Sequence, residues 1–391
     1  MIRRLVAAAC VCLLTAAADP PLDHASDARA LDRLIVENYA YIDRLPGGRL
    51  PDSPALAAER DAVRSGEALL HYAEDRIASL ADHHAITGQS FRDSWALVPS
   101  FTDVWVVRDG DGYVIDAVRD RSPAAEAGIH AGDRLVAVGG RPVADAVTGF
   151  WDRLGLTETP QRADYAVRVL VAGRRDGPRR LIVERNAVRR ELTLDSLYTR
   201  TRSGPPVIVD RTGRTSTLRF NDSLGDSATI AAFDTAMAAV PPGDRLVLDL
   251  TDTGSGGNTS VARAVMGWFV DRPTGYQVHT LPVEERETGI ARQWIEQVLP
   301  RAGKRWRGHV SARVGRWTGS MGEGMAIGLD AIGVPVMGTR MAGLLGAVYD
   351  FTLPASGLRV KFPAERLSSV SGVPREDFVP KPEPSDRRRP H

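Results

Sequence analysis

Ser122-Pro123-Ala124-Ala125-Glu126-Ala127-Gly128-Ile129-His130-Ala131-Gly132-Asp133-Arg134-Leu135-Val136-Ala137-Val138-Gly139-Gly140 is the stretch from which the architecture of this chain is read. Ser-Pro opens a short helix, since proline's fixed φ suits the first helical position. Gly128 stands where the chain must reverse, and Gly132-Asp133 turns into a strand. Upstream, Val104, Val106, Tyr113, Ile115 and Ala117 read as strands. Downstream, strands at Tyr165–Val171, Arg180–Glu184 and Arg190–Leu194 are expected to complete a small β module over residues 99–195.

This segment resembles the PDZ signature. It departs from that family upstream, where Ser100-Phe101-Thr102-Asp103 replaces the glycine-and-apolar loop that caps a peptide carboxylate. The acid there would repel such a terminus, which leaves strand addition as the expected mode of peptide capture.

Before the module, Leu31, Leu34, Ile35, Tyr39 and Ile42 recur at helical spacing, and Leu56, Val63, Leu70 and Ile77 recur every seven residues. With Pro46-Gly47-Gly48 between them, they predict a helical hairpin ending near Leu80, within an N-terminal domain 19–98. After it, from residue 205 to 380, strand and helix patterns alternate, as in a layered α/β domain. The strands are Thr217–Phe220, Arg245–Leu250, Val310–Trp317 and Val334–Met337, with helical runs Ala228–Val240 and Ser260–Val270. Ala347–Leu353 and Leu358–Phe362 flank Pro354-Ala355-Ser356-Gly357 as a hairpin.

Two segments carry candidate chemistry. In Val314-Gly315-Arg316-Trp317-Thr318-Gly319-Ser320-Met321-Gly322-Glu323-Gly324 a strand ends, Gly319 permits a sharp turn and a helix begins, so the Ser320 hydroxyl stands at a strand-to-helix elbow. Helix N–H groups there favour a developing oxyanion. The bland role is a helix cap, because Ser320-Met321-Gly322-Glu323 is also a capping box. Gly322, Gly324 and Gly328 each cost about 1 kcal/mol relative to Ala inside a helix, so close approach of a ligand or a packed neighbour must justify them. The second segment, Leu248-Asp249-Leu250-Thr251-Asp252-Thr253-Gly254-Ser255-Gly256-Gly257-Asn258, runs from an apolar strand through a glycine loop to a helix. It lacks the Gly-Lys-Ser/Thr ending of a phosphate loop, which excludes nucleotide hydrolysis as its chemistry.

Taken together, the helical segment, PDZ module, Leu-Asp-Leu strand with its Gly-Gly loop and Ser-x-x-Glu elbow resemble the carboxyl-terminal processing, or tail-specific, serine peptidases. The resemblance implies an α/β fold: a crotonase-like layered catalytic domain with an inserted PDZ-like β domain and an N-terminal helical segment. It implies Ser320 as nucleophile and the N–H groups of Gly256 or Gly257 and of Met321 as oxyanion donors. Thr251 replaces an arginine often found in the family.

One branch of that family activates its serine with a lysine some two dozen residues downstream, where this chain has Leu344 in Gly343-Leu344-Leu345-Gly346. Its three lysines, Lys304, Lys361 and Lys381, stand elsewhere. The tricorn-core-like branch uses a histidine before the PDZ module and a late glutamate. His84 in Asp82-His83-His84 matches the first, and Glu376, with Glu365 next, the second. His279 is a weaker candidate base, and His309 lies a whole strand, about 26 Å, from the elbow. A histidine needs little tuning as a base, its reference pKa being about 6.5. The expected enzyme is a serine endopeptidase acting on peptides or proteins, with cleavage near their C-termini as a further expectation and with no metal or organic cofactor. Two other readings stand beside it, a catalytically silent binder of peptides or hydrophobic ligands and an esterase.

Composition narrows the setting. With 43% hydrophobic and 25% charged residues the chain buries a real core. A net charge of +1 with scattered Lys and Arg excludes a dedicated nucleic-acid binder. Met1 to Arg4, the apolar run Leu5 to Ala18 and Ala16-Ala17-Ala18 read as a signal peptide over 1–18. A periplasmic or secreted protein without stable membrane insertion is expected, with lipid anchoring at Cys10 as the lesser alternative. Only Cys10 and Cys12 occur, so no disulfide framework is available to the body of the chain. Residues 381–391 are polar and basic and are expected to be a disordered tail; the oligomeric state is open.

Overall fold

The computed structural model describes residues 22–200 and 203–383. The expected signal peptide, Cys10 and all but the first three residues of the expected tail lie outside the described residues. Within it, Lys381 pairs with the strand Val336–Gly338 through Gly338 N–H to Lys381 O (2.9 Å) and Lys381 N–H to Val336 O (3.0 Å). The ordered chain therefore runs past the expected boundary at residue 380.

The N-terminal segment folds as helices His24–Asn38, Pro54–Ala62 and Gly66–Ala78. The seven-residue repeat does not form one helix. Ser65 is extended and its side chain accepts from Ala68 N–H, so a new helix is capped there while Val63 stays buried between the two. Leu31, Ile35 and Tyr72 share their core with Leu353, Val360 and Phe362 from the far end of the chain. The buried Asp27 carboxylate fastens this joint by accepting Ala355 and Ser356 N–H at 2.9 and 2.7 Å.

The PDZ module is an antiparallel sheet in the order Val104–Asp109, Gly112–Val118, Arg134–Val138, Arg179–Arg185, Val188–Leu194. Ser122 caps the short helix Pro123–Glu126, and Gly128 (φ +71°) and Gly132 (φ +91°) make the reversals. One expected strand is corrected: Tyr165–Val171 belongs to a helix, Pro160–Ala172. Its odd-numbered residues Tyr165, Val167, Val169 and Val171 mimic a strand's alternation, but Thr159 caps Pro160 at the first helical position. Ala163, Ala166 and Val167 are buried at helical spacing.

The α/β domain is built on a sheet in the order Val336–Gly338, Val310–Val314, Arg245–Asp249, Thr215–Phe220, Val207–Thr212, parallel except for the last strand. Leu218, Leu248 and Ala312 lie across it in register and are wholly buried, under helices Ala228–Ala239, Thr259–Met266 and Met321–Ala331. A second sheet, Ile86–Thr87, Arg359–Ser368, Thr274–Thr280, Gln293–Val298, carries Ala347–Thr352 as a further partner of Arg359–Ser368. The chain is thus a mixed α/β fold with a PDZ domain and a helical N-terminal segment. No helix among the described residues is long and apolar enough to cross a membrane.

Candidate active site

The parallel strands Arg245–Asp249 and Val310–Val314 end side by side, which brings the glycine loop and the serine elbow together. Thr253 N–H donates to Trp317 O (2.9 Å) and Gly319 N–H to Thr253 O (3.3 Å). Thr318 Oγ1 reaches Leu250 O at 2.8 Å. Thr251, at the arginine's place, closes a local turn by donating N–H and hydroxyl to Asp249 Oδ1 (3.0 and 2.6 Å). The loop is anchored by backbone and threonines instead.

The elbow glycines are explained by neighbours rather than by a ligand. A Cβ on Gly322 would stand 2.4 Å from Thr253 Oγ1, and one on Gly328 would stand 2.6 Å from Met266 Sδ. On Gly256 (φ +69°) it would collide with Ser320 Cβ at 2.5 Å. Ser320 itself adopts φ +50°, ψ −114°. A β-substituted residue there is strained, as at other serine elbows, and the surrounding junction holds it.

The capping box forms, with Glu323 accepting Ser320 N–H at 2.8 Å. Capping needs only an acceptor lone pair of the serine, so its proton remains available. The partner of that hydroxyl is His84, whose Nε2 lies 2.9 Å from Ser320 Oγ. His84 Nδ1 lies 2.5 Å from the Leu345 carbonyl, which can only accept. Nδ1 therefore carries the hydrogen and Nε2 presents its lone pair to the serine. Burial, with Arg375 adding to it, pushes the His84 pKa down to about 4 against the pull of the Leu345 and Gly346 carbonyls. The imidazole is neutral at pH 7 and able to accept.

Asp82 and Glu323, which stand in the motifs already quoted, and Arg375, which stands in none, hold this pair. Asp82 accepts His84 N–H and Tyr39 O–H, both at 2.9 Å, which gives an acid two residues before His84 in Asp82-His83-His84 its physical reason. Burial raises its carboxyl to about 6. Buried Arg375 donates to Leu344 O (2.8 Å) and Gly346 O (2.7 Å), on either side of the carbonyl that orients His84. Glu323 accepts Gly343 N–H (2.8 Å) and Leu344 N–H (3.2 Å) besides Ser320 N–H, so one carboxylate ties the nucleophile's elbow to the base's loop. Leu344 is buried with Trp317 and Ala342, filling the lysine's place with apolar packing.

The expected orienting acid is corrected. Neither glutamate meets His84. Glu376 lies 2.9 Å from Arg44, and Glu365 lies 2.6 Å from His279 Nδ1 and bonds the Tyr349 hydroxyl. A backbone carbonyl has taken the acid's position. His279 stands in this separate network between Glu365 and Glu296. Burial opposes its charge, but the two glutamates outweigh burial and raise its pKa to about 9. His309 sits at the far end of the strand Val310–Val314, its carbonyl accepting Leu246 N–H.

The candidate oxyanion donors differ in whether they are already engaged. Gly256 N–H donates to Thr253 O at 3.0 Å and is used within the loop. Gly257 N–H and Met321 N–H have no acceptor among the hydrogen bonds of the described residues. Gly257, Ser320, His84, Pro99 and Leu344 line one open cleft of about 420 Å³. Among the described residues no group of three or more His, Cys, Asp or Glu is gathered to hold a metal ion.

Fold and site together define a layered α/β domain that exposes a histidine-paired serine at a strand-to-helix elbow, with a PDZ domain inserted. Residues 114–148 match the PDZ domain family. The whole structure is similar to a photosystem II D1 C-terminal processing protease at 17% identity and a TM-score of 0.58, over 92% of this chain and 93% of that one. Mature CPAF is similar at 15% identity and a TM-score of 0.58, over 92% of both chains. The fold is that of the C-terminal processing proteases. No curated protein matches the chain by sequence.

Proposed function

We propose that the chain is an exported serine endopeptidase that cleaves peptide or protein substrates by Ser/His acyl transfer. The observation that carries this is the 2.9 Å contact from Ser320 Oγ to His84 Nε2 with the tautomer held by Leu345 O. In the first step Ser320 Oγ attacks the peptide carbonyl and its proton passes to His84 Nε2. The carbonyl oxygen, now negative, faces the N–H groups of Gly257 and Met321. His84 then gives the proton to the leaving amine, and water repeats the sequence to release the acyl chain. The imidazolium that forms is stabilised by Leu345 O and Gly346 O rather than by a carboxylate. Export rests on the leader-like residues 1–18.

Terminus recognition by the PDZ domain has no support at Asp103. Its buried carboxylate is committed to Arg179 (2.5 Å) and Ala124 N–H (2.9 Å), while Phe101 and Thr102 N–H donate to Leu97 O and Pro99 O. The proposal is tested by intact mass after exposure to a fluorophosphonate probe. One adduct is expected on the parent and none on Ser320→Ala. An unlabelled parent, or His84→Ala labelled as fast as the parent, overturns it and favours a silent peptide binder. Hydrolysis of simple esters without any peptide cleavage favours an esterase.

A further inference from the structure

One wall of the catalytic cleft is a face of the second sheet. In register across that sheet stand Ile86, Lys361 and Asp350, one from each of the strands Ile86–Thr87, Arg359–Ser368 and Ala347–Thr352. Side chains alternate between the two faces along a strand and cross-strand partners share a face. Val360 and Phe362, on either side of Lys361, are buried in the core shared with the N-terminal helices. Lys361 therefore points away from that core, on the face that also carries Ile86 and Val348. Ile86, Lys361 and Val348 all line the cleft that holds Ser320 and His84.

Charge singles out Lys361. Among the described residues it is the one charged side chain in the cleft wall: no Asp, Glu or Arg lines it, and burial holds His83 and His84 neutral. Its ammonium lies 3.1 Å from Asp350 Oδ1, a carboxylate that is 55% exposed and does not itself line the cleft. An ion pair this open to water is worth little, so the ammonium can turn to a carboxylate brought in with a substrate. Arg359, two residues earlier on the same face, is exposed and has no ion-pair partner among the described residues, so two cations stand there against one acid.

We propose that this sheet face is a subsite of the cleft for an acidic side chain of the bound peptide, with Lys361 as the residue that selects it. The assignment rests on the acyl-transfer reading and names the substrate class for it. The incoming carboxylate takes the Lys361 ammonium in place of Asp350, while Ile86 and Val348 pack against its methylenes. A Lys or Arg at the same place in the peptide meets like charge and is rejected, so the subsite discriminates by repulsion as well as by attraction.

The test uses the full chain and internally quenched peptides that differ at one position, scanned on both sides of the bond cut, with Glu, its neutral isostere Gln, or Lys in turn. At one fixed offset kcat/KM for Glu is expected to exceed Gln about fivefold, with Lys below Gln, and the Glu-to-Gln ratio is expected to fall toward one as salt is raised to about 1 M. In Lys361→Met the ratio falls to about one, in Lys361→Arg it survives, and in Lys361→Glu it drops below one. Asp350→Asn removes the competing carboxylate, and the ratio is expected to rise about twofold. The parent's own ratio and its salt dependence stand whether or not the Lys361 variants fold. A parent that the fluorophosphonate labels but that cleaves none of the peptides, treats Glu and Gln alike at every offset, or keeps its Glu preference in Lys361→Met overturns the subsite alone. A preference for Lys that is lost in Asp350→Asn overturns it too. An unlabelled parent overturns the acyl-transfer reading and the subsite with it.

Discussion

Ser320 Oγ and His84 Nε2 lie 2.9 Å apart, and in the proposed acyl transfer the pH dependence is set by whether the Nε2 lone pair is free. Protonated His84 cannot accept the serine's proton, so activity is lost as pH falls through its pKa. With that pKa lowered to about 4 by burial and Arg375, the tenfold-per-unit loss of kcat/KM that His84 itself causes is expected only below about pH 5, and any change between pH 8 and 5 belongs to Glu323 and Asp82, whose carboxyls burial raises to about 7 and about 6. An unperturbed histidine would place the fall near 6.5. Folding stability moves the same way: between about pH 6.5 and 4 the unfolded chain takes a proton that buried His84 refuses, so stability is lost as pH falls across that window. Arg375→Met removes the adjacent positive charge, so the acid limb is expected to move toward 6.5. A pH–rate profile of the variant with its limb unmoved would count against Arg375 as the group acting on His84. Removing the base altogether, in His84→Gln, is expected to lower kcat/KM by about 10²–10⁴, measured on the cleaved peptide. The two residues that the structure pairs at 2.9 Å, Ser320 and His84, are the ones the sequence offers as candidates, at a glycine elbow and in Asp82-His83-His84. The group that orients His84 was not legible, because any residue at position 345 offers the same carbonyl. Arg375, which holds that segment, stands next to Glu376, the acid the pattern favoured.

At the scale of elements, the helix Met321–Ala331 carries three glycines whose missing side chains set how closely it approaches the glycine loop and the second sheet. Gly→Ala inside a helix ordinarily stabilises by about 1 kcal/mol. At Gly322 a Cβ would meet Thr253 Oγ1 at 2.4 Å, and that hydroxyl is fixed on Leu250 O within the loop. Gly322→Ala is therefore expected to destabilise, by about 1–3 kcal/mol, and to slow Ser320 labelling because the loop must shift. Gly324→Ala meets Met321 Cε at 2.5 Å, the end of a flexible side chain that can swing away, so its cost is expected to be smaller. Urea unfolding of the two variants side by side checks the order, and Gly324→Ala as the less stable would contradict it. Element types were readable from period and caps where one face is buried. The reading failed at Pro160–Ala172, where four alternating apolar positions outweighed the Thr159-Pro160 start. It also passed over the strands Thr274–Thr280 and Gln293–Val298, whose mixed polar residues, such as Gln277 and Glu296, build the network around His279.

Across the whole molecule, the PDZ domain is fastened to the catalytic sheet through the residues that lead into the elbow. Trp317 donates Nε1–H to Thr102 O at 2.6 Å and meets Trp105 edge-on at 6.5 Å. Arg316 bonds Asp116 at 2.6 Å, and Arg119 bonds Asp252 at 3.0 Å and Ser100 O at 2.9 Å. Trp317 O meanwhile accepts Thr253 N–H, so the same residue touches the PDZ domain with its side chain and the glycine loop with its backbone. No pattern in the sequence announced this joint, because its partners lie 133 to 215 residues apart. Its consequence is that the PDZ domain's position and the geometry at Ser320 are coupled through the Trp317 indole and, beside it, through the Arg119–Asp252 pair. Trp317→Phe keeps an aromatic ring against Trp105 but leaves the buried Thr102 carbonyl without its donor, a loss of about 1–3 kcal/mol. The expected outcome is a lower melting temperature together with slower labelling of Ser320, and hydrogen exchange rising at both the 100–105 loop and the 253–257 loop. Exchange rising in the first loop alone, with labelling unchanged, would mean that the elbow holds its shape without the PDZ domain. Arg316→Met provides the control: it breaks the Asp116 pair but spares the indole and the Trp317 carbonyl, so its effect on labelling is expected to be the smaller of the two.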